Sequence, residues 1–195
     1  DHATGFTISV DAQGQTDDGH IQVQPDFYAK EPVNWITSRQ SVYLGTEGGE
    51  FEVLSSLPYY SSEPGGVIIS KVGRMGTKHS AYVGDGLAVS KGNRLVMLAF
   101  ASGDSYNAST LTEYIDIGEI VQHDAVDYGS HQYLFAVDIH RNLYCLTMSR
   151  NTNVVGWALV DTDVAWVVVN HQDVYIARER DGAYWIEVIG VDSLD

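Results

Sequence analysis

The sequence contains few basic residues. Eleven lysines and arginines stand against 26 aspartates and glutamates, which gives a net charge of −15. Proteins bind a phosphate backbone with clustered lysine and arginine, so this charge argues against sequence-specific nucleic-acid binding. A large net charge keeps a β-rich protein soluble and suits a partner with a basic surface.

Cysteine is almost absent. Cys145 is the single cysteine, so no intrachain disulfide can form. It lies between Tyr144 and Leu146 in a predicted strand, where we expect a buried and unreactive thiol. A single cysteine is compatible with assembly in a reducing cytoplasm.

Long apolar runs are also missing. The longest, Val164 to Val169 and Leu95 to Ala101, fall far short of the roughly 18 residues that suggest a membrane span. We therefore expect no membrane span, and no signal peptide is visible at the N-terminus. The run from Val164 to Val169 is continuous, which is typical of a strand buried on both faces.

Motifs of catalysis and cofactor binding are not found. The sequence has no nucleophile elbow, phosphate-binding loop, dinucleotide fingerprint or zinc-type histidine spacing. His123 and Asp124 are neighbours on a predicted strand and should point to opposite faces. The acidic loop of residues 11–18 lacks the carboxylate that ends a calcium loop, since Gln22 stands there. We expect no enzyme activity, metal or cofactor.

The sequence does contain a strand–turn–strand unit that is repeated four times. The residue before each second strand recurs at intervals of 44, 49 and 40 residues, a period typical of propeller blades. We therefore predict an all-β fold, a β-propeller-like array of antiparallel hairpins with about four units, either complete or part of a larger propeller. The four units are Ser41 to Leu54, Gly86 to Phe100, Tyr133 to Ser149 and Val174 to Gly190.

The regions around these units are less regular. We predict that residues 1–33 form N-terminal strands with a polar loop, and that residues 34–195 form the repeated domain. The segment from Leu111 to Val121 fits a short helix, with Thr110 as its cap, or a strand. Asp181 and Gly182 predict an ordinary hairpin turn.

Three tyrosines lie in predicted loops, Tyr59 and Tyr60 in residues 55–66 and Tyr106 in residues 102–110. Exposed aromatic residues anchor protein interfaces, lie on a local apolar surface or bind glycans. The first two roles are favoured, because tyrosine is enriched at interfaces generally.

Two phrases in the sequence resemble tail proteins of short-tailed bacteriophages and related prophage proteins. They are Gly-Thr-Glu-Gly-Gly-Glu at Gly45 to Glu50, within Asn34 to Val53, and Val-Val-Gly-Trp at Val154 to Trp157. The resemblance extends from about Asn34 to Ile189. This family includes the nozzle, or tail tubular, proteins and the proteins that stabilise the portal.

The resemblance implies a non-catalytic component of the virion tail, assembled in the host cytoplasm. Such a protein forms a ring, expected to contain six copies, around the DNA exit channel and contacts neighbouring tail and portal proteins. Leu111, Tyr114 and Ile115 join the three loop tyrosines as expected interface residues. The alternative is a β-propeller module that binds a host cell-surface glycan. A glycosidase on this scaffold would need two converging carboxylates, which no motif indicates.

Overall fold

In the computed structural model, the described part of the chain consists of antiparallel β-sheets. The structure describes residues 32–38, 41–55, 67–101, 105–149 and 155–190. These residues form fifteen strands in four sheets and no helix. The predicted all-β, propeller-like array of about four units is confirmed.

Each sheet is a meander in which consecutive strands are hydrogen-bonded neighbours. The first contains β1 (Val33–Ser38), β2 (Val42–Thr46), β3 (Gly49–Ser55) and β4 (Val67–Lys71). The second contains β5 (His79–Val83), β6 (Gly86–Lys91), β7 (Arg94–Ala101) and β8 (Ser105–Thr110). The third contains β9 (Ile120–Tyr128), β10 (His131–Asp138), β11 (Leu143–Ser149) and β12 (Val155–Asp161). The fourth contains β13 (Val164–Asn170), β14 (Asp173–Arg180) and β15 (Ala183–Gly190).

The four hairpins predicted from the repeat are all present. They are the pairs β2–β3, β6–β7, β10–β11 and β14–β15, and each supplies the second and third strands of a sheet. Asp181 and Gly182 connect β14 to β15 with φ values of 53° and 75°. Two consecutive positive φ values match the turn that the right-handed twist of a hairpin favours.

The β10–β11 turn is closed by a buried carboxylate. Oδ1 of Asp138 accepts the backbone amides of His140 at 2.9 Å and Asn142 at 2.8 Å. These bonds hold Arg141 at a φ of 66°, which is uncommon for a residue other than glycine. Asp138 thus serves as a local turn former.

The chain divides into two compact units, residues 1–76 and 77–195. The described part of the first unit is the β1–β4 sheet, with Leu44, Phe51 and Val53 in its core. The boundary predicted at residue 33 stays a prediction, because residues 1–31 lie outside the described part of the chain.

The second unit contains three sheets arranged like neighbouring propeller blades. Their first strands, β5, β9 and β13, lie side by side in that order. One core cluster, with Leu95, Leu134 and Leu146, lies between the second and third sheets. Another, with Phe135, Val167 and Ile176, lies between the third and fourth. Face-to-face burial of apolar side chains is therefore what joins each sheet to the next.

Side chains also connect the first strands. Oε1 of Gln122 in β9 accepts the amide of Val167 in β13 at 2.8 Å, and Oδ2 of Asp124 accepts the amide of Val169 at 2.7 Å. β13 is an edge strand, so its outward amides need partners when they are buried. Polar side chains of β9 accept these hydrogen bonds, in place of the backbone carbonyls of a neighbouring strand.

The segment from Leu111 to Val121 differs from both predicted alternatives. Residues 111–119 form a turn and an irregular stretch, and β9 begins only at Ile120. The amide of Leu111 donates to the carbonyl of Leu95 at 2.8 Å, and Oγ1 of Thr112 accepts the amide of Leu95 at 3.2 Å. These tertiary bonds hold the segment against β7 and replace the bonds of a helix.

Cys145 is buried in β11, as predicted. Burial raises the pKa of its thiol to about 11. At neutral pH the thiol is therefore protonated and a poor nucleophile.

Candidate interaction surface

The Gly-Thr-Glu-Gly-Gly-Glu phrase forms the turn between β2 and β3. Trp35 lies over Gly45, where an added Cβ would be 2.1 Å from the indole ring. The hydroxyl of Thr46 donates to the carbonyl of Gly49 and accepts the amide of Gly48, both at 3.2 Å. The phrase therefore closes a hairpin.

Glu50, at the end of this phrase, is fully buried. Its carbonyl accepts the amide of Val72 at 2.9 Å, and Oε2 accepts the amide of Met75 at 3.1 Å. A Cβ at Gly73 would lie 2.1 Å from Oε2. A carboxylate that accepts backbone amides forms strong bonds, so Glu50 holds the chain after β4 against β3.

His123 is a buried, neutral histidine. Its Nε2 lies 3.1 Å from the carbonyl oxygen of Ala88, and its Nδ1 lies 3.0 Å from Oγ of Ser90. Because a carbonyl oxygen only accepts, Nε2 carries the proton and Nδ1 accepts the serine hydroxyl. Burial lowers the pKa of His123 to about 4. Asp124 bonds to β13 on the other side of the strand, so these neighbours point apart as predicted.

Arg178 connects the fourth sheet to the end of the third. Its side chain is largely buried and forms ion pairs with Asp161 of β12 and with Glu187 of β15, the latter at 3.0 Å. Burial alone would raise the pKa of Asp161, but the bonds from Arg178 and from the amide of Thr162 lower it overall. The pair with Asp161 therefore links the two sheets, and the pair with Glu187 lies within the fourth sheet.

The structure brings together three of the residues predicted as an interface. Leu111 and Ile115 are partly buried against the core between the second and third sheets, whereas Tyr114 is 94% exposed. The carbonyl of Leu111 also accepts the indole NH of Trp157 at 2.8 Å.

The three tyrosines predicted in loops are placed differently. Tyr106 lies half-buried in β8, so the predicted loop over residues 102–110 is wrong for Ser105–Thr110. Tyr59 and Tyr60 lie outside the described residues, as does the acidic loop of residues 11–18. The six-residue interface stays a prediction.

The fourth sheet has one bare apolar face, here called the outer face. Register places Trp166 and Val168 of β13 beside Ala177 and Tyr175 of β14. These in turn pair with Ile186 and Val188 of β15. Val167 and Ile176, which point the other way, are buried in the core shared with the third sheet. The outer face consists of Trp166, Val168, Tyr175, Ala177, Tyr184, Ile186 and Val188.

Exposure is high across the outer face. Trp166 is 49% exposed, Tyr184 68% and Ile186 76%. A hollow of about 500 Å³ opens there, lined by Arg141, Ala165, Trp166, Ala177 and Tyr184. Contiguous apolar surface of this kind marks interaction sites in soluble proteins.

The sequence pattern does not single out the outer face. It predicted that Val164 to Val169 is buried on both faces, and the structure contradicts this, since Trp166 and Val168 are exposed. The signal was available in β15, where Tyr184, Ile186 and Val188 alternate with residues of the other face. Alternation indicates two faces but does not tell which one another sheet covers.

Among the described residues, no group of three or more histidine, cysteine, aspartate or glutamate side chains could hold a metal ion. No helix in the part of the chain that the structure describes is long and apolar enough to cross a membrane.

These features define a class of protein: a propeller-like array of β-sheets whose last sheet exposes an apolar face. No family model matches the chain, and no curated protein matches it. A solved structure described as the AfRom2 CNH domain is similar to it, with a TM-score of 0.54 and 9% sequence identity. The similarity covers 84% of this chain and 53% of that chain, so this chain spans about half of that structure. At this identity the likeness concerns the fold alone.

Proposed function

We propose that the chain is a non-catalytic structural component of a bacteriophage virion tail, in the nozzle or neck region. The observation that carries the proposal is the resemblance of Asn34 to Ile189 to tail proteins of short-tailed phages. It rests on the phrases Gly45 to Glu50 and Val154 to Trp157. In this role the protein is part of a ring, of six copies, around the DNA exit channel.

Two physical properties support this role. A net charge of −15 repels DNA phosphates, and a channel wall should let DNA pass without holding it. Antiparallel sheets joined by apolar cores and by ion pairs such as Arg178–Asp161 resist deformation. The partners in this proposal are other copies of the chain and the neighbouring tail and portal proteins.

Gold-labelled antibodies against the purified chain test the tail role by electron microscopy of virions. We expect gold at the neck or along the tail, and no gold when the antibody is first absorbed with the purified chain. Virions that remain unlabelled, although the protein is present in the infected cells, would overturn the tail role. Label restricted to the tips of receptor-binding fibres would favour host attachment instead.

The hollow on the outer face favours a second candidate, a module that binds host cell-surface glycans. Trp166 and Tyr184 are exposed aromatic residues beside Arg141, and such rings can stack on sugars. A glycan array with the wild-type chain and with Trp166→Ala tests this candidate. Selective binding that the variant loses would replace the structural role, and binding to no glycan would remove the candidate.

A further inference from the structure

The outer face of the β13–β15 sheet occupies a position that is covered elsewhere in the second unit. The second and third sheets meet face to face through one core cluster, and the third and fourth through another. The fourth sheet buries Val167 and Ile176 in this way, while its opposite face carries Trp166, Val168 and Ile186 in solvent. The outer face is therefore a surface of the kind that joins the sheets of this unit to one another.

The sequence of β13 is that of a strand with two buried faces. Val164, Val167 and Val169 point to the core, and Trp166 and Val168 point away from it. Strands that are apolar on both sides are typical of sheets covered on both sides, whereas a solvated face normally carries polar residues. The apolar residues of the outer face are therefore typical of a surface that another protein surface covers.

Charge indicates which partner can approach. The chain carries a net charge of −15, so two copies repel each other over most of their surfaces. The centre of the outer face has no charged side chain. Charges stand only at its ends, where Asp173 lies at the start of β14 and Glu179 is paired with Arg141 at 2.7 Å. At the centre of this surface two copies can meet without bringing carboxylates together.

We infer that the outer face is buried against a second copy of this chain, sheet against sheet. The contact continues the face-to-face arrangement that joins the three sheets of the second unit. Ile186 and Val188 of β15 and Trp166 of β13 form its apolar centre, and the Arg141–Glu179 pair lies at its rim. The same face on both copies makes a two-fold contact, which closes a pair of copies. A ring needs contacts between two different faces, so the inference goes beyond the proposed ring and names a separate contact between copies.

Sedimentation velocity of the full 195-residue chain, over a series of concentrations, tests the inference. Ile186→Glu places a carboxylate at the centre of the outer face, and Leu159→Glu in β12 is its matched control. Both residues are exposed, at 76% and 57%, and each substitution adds one negative charge. We expect the wild-type chain to self-associate, Ile186→Glu to weaken the association at least about tenfold, and Leu159→Glu to leave it unchanged.

Circular dichroism and thermal unfolding of both variants establish that the fold is intact. A wild-type chain that stays monomeric up to about 100 μM would overturn the inference and leave this face to another protein. Equal association of Ile186→Glu and wild type would also overturn it. Weakening by Leu159→Glu alone would overturn the inference and move the interface to β12. None of these results depends on the gold labelling of virions, so the tail role can fail while this contact stands.

Discussion

Single buried polar residues determine how tightly the sheets of the second unit are joined. His123 is enclosed between the carbonyl of Ala88 and the hydroxyl of Ser90, and the bond that Nδ1 accepts from Ser90 requires a neutral ring. His79 lies edge-on to it, with ring centroids 6.4 Å apart, and adds a repulsion if both are protonated. Protonation of the His123 imidazole at acidic pH therefore weakens the fold.

We predict that stability falls as the pH is lowered from about 7 to 5. The folded pKa of His123 is about 4, and the unfolded value is about 6.5, so between these values the unfolded chain binds the extra proton. Linkage gives a loss of about 2 kcal/mol over this range for this group. Urea unfolding of wild type and His123→Gln at both pH values measures it. An equal pH dependence in the two proteins would contradict the prediction.

Glycines provide a second test at the residue scale. Gly76 has a φ of 66°, and a Cβ there would be 1.8 Å from the carbonyl oxygen of Glu47. Gly129 has a φ of 59° with nothing near a Cβ. We predict that Gly129→Ala costs about 1 kcal/mol from backbone strain alone. Gly76→Ala should cost at least about 3 kcal/mol, because the clash of the new Cβ with the carbonyl of Glu47 adds to the backbone strain. Thermal unfolding compares them, and equal losses would show that the clash relaxes.

At the scale of elements, the first strands of neighbouring sheets depend on side chains that replace a hydrogen-bonding strand. Gln122 and Asp124 of β9 accept the amides of Val167 and Val169 in β13. A hydrophobic core alone allows sheets to slide, since apolar contact has no direction. These two bonds fix the position of β13 along β9.

We predict that Gln122→Ala destabilises the protein by about 1–3 kcal/mol, because the buried amide of Val167 loses its acceptor. Gln172, exposed in the β13–β14 turn, is the matched control, and its change to alanine should cost less than about 0.5 kcal/mol. Urea unfolding gives both values. Amide hydrogen exchange should also be faster at Val167 in the first variant. Unchanged exchange there would indicate that water replaces the side chain.

At the scale of the molecule, each sheet in the second unit is covered by its neighbour. Cys145 belongs to the core between the third and fourth sheets. The reactivity of its thiol therefore depends on whether the fourth sheet covers that core. Removing β13–β15 would uncover that core, which includes Phe135 and Leu143.

We predict that the native thiol of Cys145 reacts at pH 8 at least about 100-fold more slowly than that of the urea-unfolded chain. A pKa of about 11 leaves far less thiolate than the ordinary value of about 8.5, and burial limits access further. A chain that ends at Asp161 should react nearly as fast as the unfolded one. Labelling with a chromogenic disulfide measures all three rates. Slow labelling of the truncated chain would mean that the fourth sheet does not protect this core.

Local features of the sequence determined the strands and the hairpins. Asp181-Gly182 and the alternating residues of β15 act within a few positions of each other, through φ preferences and strand periodicity. The all-β class, the four hairpins, the buried thiol and the opposed directions of His123 and Asp124 follow from such local rules. Leu111 to Val121 departed from prediction because Leu95, distant in sequence, takes the hydrogen bonds that a helix would use.

Only the tertiary structure decided which apolar face is covered and which is bare. Val167 and Trp166 are neighbours in one apolar run, yet Val167 is buried and Trp166 is half exposed. Burial depends on how many sheets stand beside a strand, and hydrophobicity along the chain does not encode that number. The same holds for Gln122 and Glu50, whose roles arise from backbone amides 45 and 25 residues away.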